Sequence, residues 1–189
     1  MIRTRVGYAG GTTANPTYER IGDHTETLEV DYDPSRVSYS ELLKQFFAGH
    51  DSYLKPYSRQ YRAVVFYHDE EQRELAQRML AGLEKGGRQV YTALEPYRRF
   101  YPAEDYHQKY GLRSTYVLMR DIARAYPNPV AFRNSTVAAR LNAYISGYGS
   151  KDLLEKELPS YGLNSEATSF LKSIESKLGT ASAAAGCLL

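Results

Sequence analysis

Residues 5–34 read RVGYAGGTTANPTYERIGDHTETLEVDYDP. Residues 2–8 are expected to form a short strand that ends at the Gly10-Gly11 turn. Residues 12–24 read as a loop, with Pro16 and Gly22 as breakers. Residues 25–32 then alternate. Leu28, Val30 and Tyr32 face one way and Thr27, Glu29 and Asp31 the other, the pattern of a half-buried strand that stops at Asp33-Pro34. Two strands joined by a polar, irregular loop bring Tyr18, His24 and Glu26 in or just after its second half; taken alone, Tyr18 reads as structural and Glu26 as a solvated strand residue.

Working outward, SYSELLKQFF opens with a capping box from Ser38 to Glu41 and sets Leu42, Leu43, Phe46 and Phe47 on one stripe. That helix should stop near Gly49. A strand is expected over residues 60–68 and another over 89–97. Between them, Asp69 caps a helix over about 70–85, with Leu75, Met79, Leu80 and Leu83 inward. Residues 112–125, 135–147, 151–158 and 165–178 are further helix candidates, with YPNP separating the first two. Strands and helices mix without a regular β-α-β-α repeat, so the class is α+β. The expected organisation is a domain over residues 1–111, a helical extension over 112–178 and a small-residue tail over 179–189.

Composition narrows the function classes. The chain has 189 residues, 42% hydrophobic and 24% charged, with net charge +2. So small a charge gives no general attraction to nucleic acid or membrane. No apolar run approaches the ~20 residues of a membrane span, and MIRTRVGYAGG lacks a signal-peptide core. The single cysteine, Cys187, excludes an intrachain disulfide and points to a reducing, cytoplasmic setting. The 18 tyrosines, with no tryptophan, must supply most of the aromatic packing.

Residues 2–110 resemble methionine sulfoxide reductase A. The resemblance rests on GYAGG, NPTY, GDHTETLEVDYDP, SYSELLKQFF, HD, QYRAVVFYHDEEQ and AEDYHQKY, in family order. Each segment alone is weak, and the set together is specific. The resemblance implies a mixed sheet with flanking helices, a ferredoxin-like two-layer sandwich. It implies thiol-dependent reduction of methionine-S-sulfoxide, free or in proteins, and hence protein repair under oxidative stress. No bound cofactor is implied, only an external thiol such as thioredoxin or dithiothreitol. Tyr18 and Tyr61 match the family's two hydroxyl donors to the sulfoxide oxygen, and Glu26 matches its proton-donating carboxyl. These types suit the chemistry, because a thiolate attacks sulfur while the departing oxygen must be hydrogen-bonded and protonated.

Three departures accompany the match. The family's nucleophilic cysteine lies in a Gly-Cys-Phe-Trp-Gly motif roughly twenty residues before GYAGG, and these 189 residues do not contain it. The Gly-Asn-Asp segment of many members is missing from HDSYLKPYSRQYR, where Asp51 aligns with the HD pair instead. The usual C-terminal recycling cysteines have no clear match. Three explanations stand for the nucleophile. The chain is a truncated isoform or gene model; or it is a nucleophile-free binding module that keeps the sulfoxide pocket; or Cys187, after SAAAG, substitutes. The first two both imply that the 189-residue polypeptide turns over little substrate.

Several residues read as structural. His24 with Glu26 lacks a third ligand for a metal. His50 and His68 follow elements and suit cap or loop positions, and His107 is a candidate for the rim of the site. The pairs Arg59/Arg62 and Arg98/Arg99 read as solvated charge. Cys187 is third from the end, where a prenylation signal needs the fourth.

Overall fold

The computed structural model describes residues 2–179, so Cys187 and the expected tail beyond residue 179 lie outside the described residues. The chain divides into two compact units, Val6–Glu104 and the residues up to Arg5 together with those from Asp105 onward.

Strand β1 (Arg3–Ala9) is central in a three-stranded sheet between β2 (Thr25–Asp31) and β5 (Phe100–Pro102). β1 and β5 run antiparallel, with Gly7 opposite Pro102, Tyr8 opposite Tyr101 and Ala9 opposite Phe100. A second sheet holds β3 (Val64–Tyr67) and β4 (Ala93–Pro96) in parallel, Val65 opposite Leu94. Parallel neighbours need a crossover, and α2 (Glu70–Glu84) supplies it. The class is α+β, as the sequence indicates. Helix α1 (Tyr39–Ala48) carries the full capping box: Ser38 accepts from the Glu41 N–H, and Glu41 accepts from the Ser38 N–H at 2.8 Å. Leu43, Val65 and Ala76 form the buried centre, with Phe46, Phe47, Leu75, Met79 and Leu94 packed on it.

Several expectations are corrected. β3 and β4 are shorter than the expected strands, and the three-residue β5 was not foreseen in RRFYP, which is too short for a periodic signal. Leu28 is 57% exposed, so the alternation in β2 does not mark a buried leucine face. α2 buries Ala76 completely, while Leu80 and Leu83 stay half-exposed. YPNP is a helix start as well as a break: Asn128 caps α5 (Pro129–Asn134), accepting from Val130 and Ala131, and Pro129 occupies the first turn. The expected helix over 112–125 is two pieces, α3 (Tyr110–Arg113) and α4 (Tyr116–Ala125).

In the other unit α6 (Thr136–Ile145), α7 (Lys151–Glu157) and α8 (Ser165–Ser173) complete a helical core around Leu112, Leu118, Ile122, Phe132, Leu141, Leu154 and Leu171. Lys109 sits within it at positive φ, its ammonium donating to the carbonyls of Thr4 and Arg133. Glu157 accepts from the hydroxyls of Tyr144 at 2.8 Å and Tyr161 at 2.5 Å, while Arg140 approaches its other oxygen at 3.5 Å. Burial, and then the hydrogen bond to Glu157, pushes the Tyr144 phenol up to about 12; Tyr161 is raised by the same causes.

Glu157→Ala leaves two phenols without their acceptor and should destabilise this unit by about 2–4 kcal/mol, measured by denaturant unfolding. The unfolded chain releases these phenolic protons near pH 10 and the folded unit retains them, so stability should fall as pH rises from about 10 towards 12. Thermal melts across that window in the parent and the Tyr144→Phe/Tyr161→Phe variant should show a shallower decline in the variant.

Candidate active site

The site is built on the irregular segment between β1 and β2. Gly10 lies at φ +80°, and a Cβ there would stand 2.6 Å from the Phe66 ring. A Cβ on Gly11 would be 2.6 Å from the Asp23 carboxylate and 2.7 Å from the His24 ring. These contacts explain the glycine pair: the backbone lies directly on the Phe66 ring of β3 at Gly10 and on side chains from the loop's other end at Gly11.

His24 is 1% exposed and bonds through both ring nitrogens. The Gly11 N–H donates to Nδ1 at 3.1 Å, so Nδ1 carries no proton and Nε2 donates to the Thr13 carbonyl at 2.8 Å. Asp23 accepts from the backbone and hydroxyl of both Thr12 and Thr13 at 2.8–3.0 Å. The Thr13 bonds first, and then those of Thr12, hold its carboxyl far below the usual range.

Arg59 and Arg62 are structural, contrary to the expectation of solvated charge. Arg59 donates to the carbonyls of Asp23 at 2.6 Å and Gly10 at 2.9 Å. Arg62 pairs through both terminal nitrogens with Glu95 on β4 and donates from Nε to the Thr25 hydroxyl at 2.9 Å. Thr25, fully buried, in turn donates to the Arg59 carbonyl at 3.0 Å. Arg99 likewise lies over the Tyr101 ring, 4.7 Å from its centroid. Tyr101 meets His24 edge-on at 5.4 Å. His50 fills the cap position read for it: Nδ1 donates to the Phe46 carbonyl, and Nε2 accepts from Thr92 and Ser52. His68 stacks on Tyr97. His107 falls in the other unit.

On this frame Tyr18, Glu26 and Tyr61 come together. The Tyr18 and Tyr61 hydroxyls lie 3.4 Å apart, and the two residues are 42% and 44% exposed. The Tyr61 phenol is raised to about 12, first by the Tyr18 hydroxyl, then by loss of water and by the Glu26 charge, which places Glu26 within electrostatic reach. Glu26 is held from one side. Its N–H donates to the Gln60 carbonyl at 3.0 Å, and the Gln60 amide donates to its Oε1 at 2.7 Å. A carboxylate oxygen receiving that donor cannot also carry the proton towards it, so a proton on Glu26 belongs on Oε2. Tyr18 is anchored by Glu104, whose Oε1 accepts from the Tyr18 N–H at 3.0 Å and whose Oε2 accepts from the buried Tyr8 hydroxyl at 2.7 Å. Gln60 and Glu104 were missed as site residues. Gln60 adjoins Tyr61 in RQYR, and Glu104 lies in AEDYHQKY, but neither segment alone shows its partner.

The arrangement presents two phenolic donors and one carboxyl at an open face, which suits binding and protonating a small, strongly accepting oxygen. The family model described as peptide methionine sulfoxide reductase matches residues 1–132. The chain belongs to the peptide methionine sulfoxide reductase family. That match runs past the boundary at residue 111 drawn from the sequence. A peptide methionine sulfoxide reductase of Drosophila melanogaster is 41% identical over 169 residues, covering 86% of this chain and 66% of the fly protein. Peptide methionine sulfoxide reductase A5 of Oryza sativa is 37% identical, covering 76% of this chain and 59% of the rice protein. The chain thus spans two thirds or less of the length of these two relatives. Among solved structures, Mxr1 from Saccharomyces cerevisiae in reduced form is 32% identical, with a TM-score of 0.52 over 57% of this chain and 68% of the yeast chain. None of the helices of the described residues is long and apolar enough to cross a membrane.

Replacing His24 by Phe removes one acceptor and one donor from the glycine loop. The Gly11 amide should then exchange with deuterium at least about tenfold faster, with about 2–3 kcal/mol lost from the unit's stability. Amide exchange read by NMR checks both.

Proposed function

We propose that this chain supplies the oxygen-handling part of a thiol-dependent methionine-S-sulfoxide reductase. One observation carries the reading: the paired hydroxyls of Tyr18 and Tyr61 beside Glu26. The sulfoxide oxygen accepts from both phenols, and the proton on Glu26 Oε2 moves to it as a thiolate attacks the sulfur. The S–O bond breaks, the sulfide leaves, and the oxygen ends on the attacking thiol as sulfenic acid. Two further thiol equivalents return that sulfenic acid to thiol and release water, leaving a disulfide on the reductant. Thioredoxin or dithiothreitol has the required chemistry, and a reducing compartment such as the cytoplasm suits a chain with one cysteine. Tyr61 stays protonated, and so remains a donor, well above neutral pH because its phenol is raised to about 12.

Binding can be measured apart from turnover. Titration calorimetry of the 189-residue protein should show methionine-S-sulfoxide bound in preference to the R epimer and to methionine. Tyr18→Phe and Tyr61→Phe should each weaken binding about three- to tenfold, one neutral hydrogen bond apiece. The double change should exceed the product of the singles, because the surviving phenol no longer compensates. Dithiothreitol-driven turnover should be small beside this binding, since Cys187 is the single thiol in the sequence. Equal binding of all three ligands would overturn the assignment of the cluster. Rapid turnover persisting in Cys187→Ser would overturn the need for a protein thiol.

A further inference from the structure

One aromatic side chain borders the cluster without belonging to it. Tyr57 is 83% exposed, yet its ring is not free of structure: it stacks on Tyr61 with centroids 5.3 Å apart and planes 29° from parallel. Tyr61 in turn meets Tyr18 through the hydroxyls, so Tyr57, Tyr61 and Tyr18 form a continuous row along an open face. Three residues before Tyr57, Leu54 is 71% exposed. A ring this exposed contributes little to a core, whereas a solvent-facing aromatic beside a binding group is available to a ligand.

We propose that Tyr57 is a specificity-determining residue: its outer face takes the apolar or aromatic side chain next to a methionine sulfoxide in a polypeptide. The inference rests on the reading of Tyr18 and Tyr61 as the oxygen-binding pair. Two arguments support it. Consecutive Cα atoms stand about 3.8 Å apart and alternate ones on an extended chain about 6.6–6.8 Å. The 5.3 Å offset from Tyr61 to Tyr57 falls inside that step, so a residue one or two places from the sulfoxide can reach the ring. Free methionine sulfoxide, by contrast, carries an ammonium and a carboxylate on its α-carbon and has no neighbouring side chain to offer. An apolar or aromatic neighbour gains the face of Tyr57, and a glycine neighbour gains nothing.

The test compares three ligands on the full chain by calorimetry: free methionine-S-sulfoxide, and blocked tripeptides with the S-sulfoxide between two glycines or between two phenylalanines. The parent protein should bind the phenylalanine peptide about three- to tenfold more tightly than the glycine peptide. Tyr57→Ala should abolish that ratio and leave free methionine-S-sulfoxide within about twofold of the parent, and Tyr57→Phe should keep the ratio. If Tyr57→Ala weakens all three ligands alike, Tyr57 merely steadies Tyr61 and the inference is overturned. A phenylalanine preference that survives Tyr57→Ala overturns it too. Should the parent bind none of the sulfoxides, the oxygen-binding assignment itself fails and this inference goes with it. Loss of binding in Tyr18→Phe and Tyr61→Phe, with no flank effect at Tyr57, removes only the inference.

Discussion

A backbone that leaves regular structure inside a folded unit must still find partners for its N–H and C=O groups. The segment from Gly10 to His24 lives under that constraint. His24 satisfies the Gly11 N–H and the Thr13 carbonyl from a fully enclosed ring. Asp23 covers the next N–H groups, and Arg59 reaches in from another loop to the Gly10 and Asp23 carbonyls. Without these bonds the loop has no defined path, and Tyr18 and Glu26, which bracket its second half, lose their common position. Glycine at position 11 is the steric counterpart, since Asp23 and His24, which supply bonds, occupy the space a Cβ would need; at position 10 that space is filled by the Phe66 ring.

The acidic side chains of the Val6–Glu104 unit divide the work by how many donors they receive. Asp23 is saturated by two threonines, Glu95 is paired with Arg62, and Glu104 is shared between a buried phenol and a backbone N–H. The bonds of Asp23 and of Glu95 hold both carboxyls below the usual range. Glu26 receives one side-chain donor, Gln60, on one oxygen. Its charge is felt by the Tyr61 phenol, which is a donor.

Much of this was legible before any coordinates. The capping box at Ser38 and Glu41 and the Asp69 cap are local signals, and both helices begin where those residues place them. The three site residues were reached by motif, and the Tyr18 and Tyr61 hydroxyls lie 3.4 Å apart. The arginines were misread because a guanidinium that bonds carbonyls looks, in sequence, like one that bonds water. Glu104 stands 86 residues from Tyr18, and no local pattern reports such a contact. β5 is three residues long, and Leu28 faces solvent despite a clean alternation, because period two says which residues share a face and not which face is covered.

The state of Asp23 reaches beyond geometry. A carboxyl held far below its usual range keeps its charge, and the bonds from its four threonine donors, through conditions that would neutralise an ordinary aspartate. A folded-state pKa below the unfolded one means that this support is complete above about pH 4 and fades only in stronger acid. The loop that carries Tyr18 is thereby insulated from acidification. Mild acid therefore leaves in place the bonds that fix this loop's path.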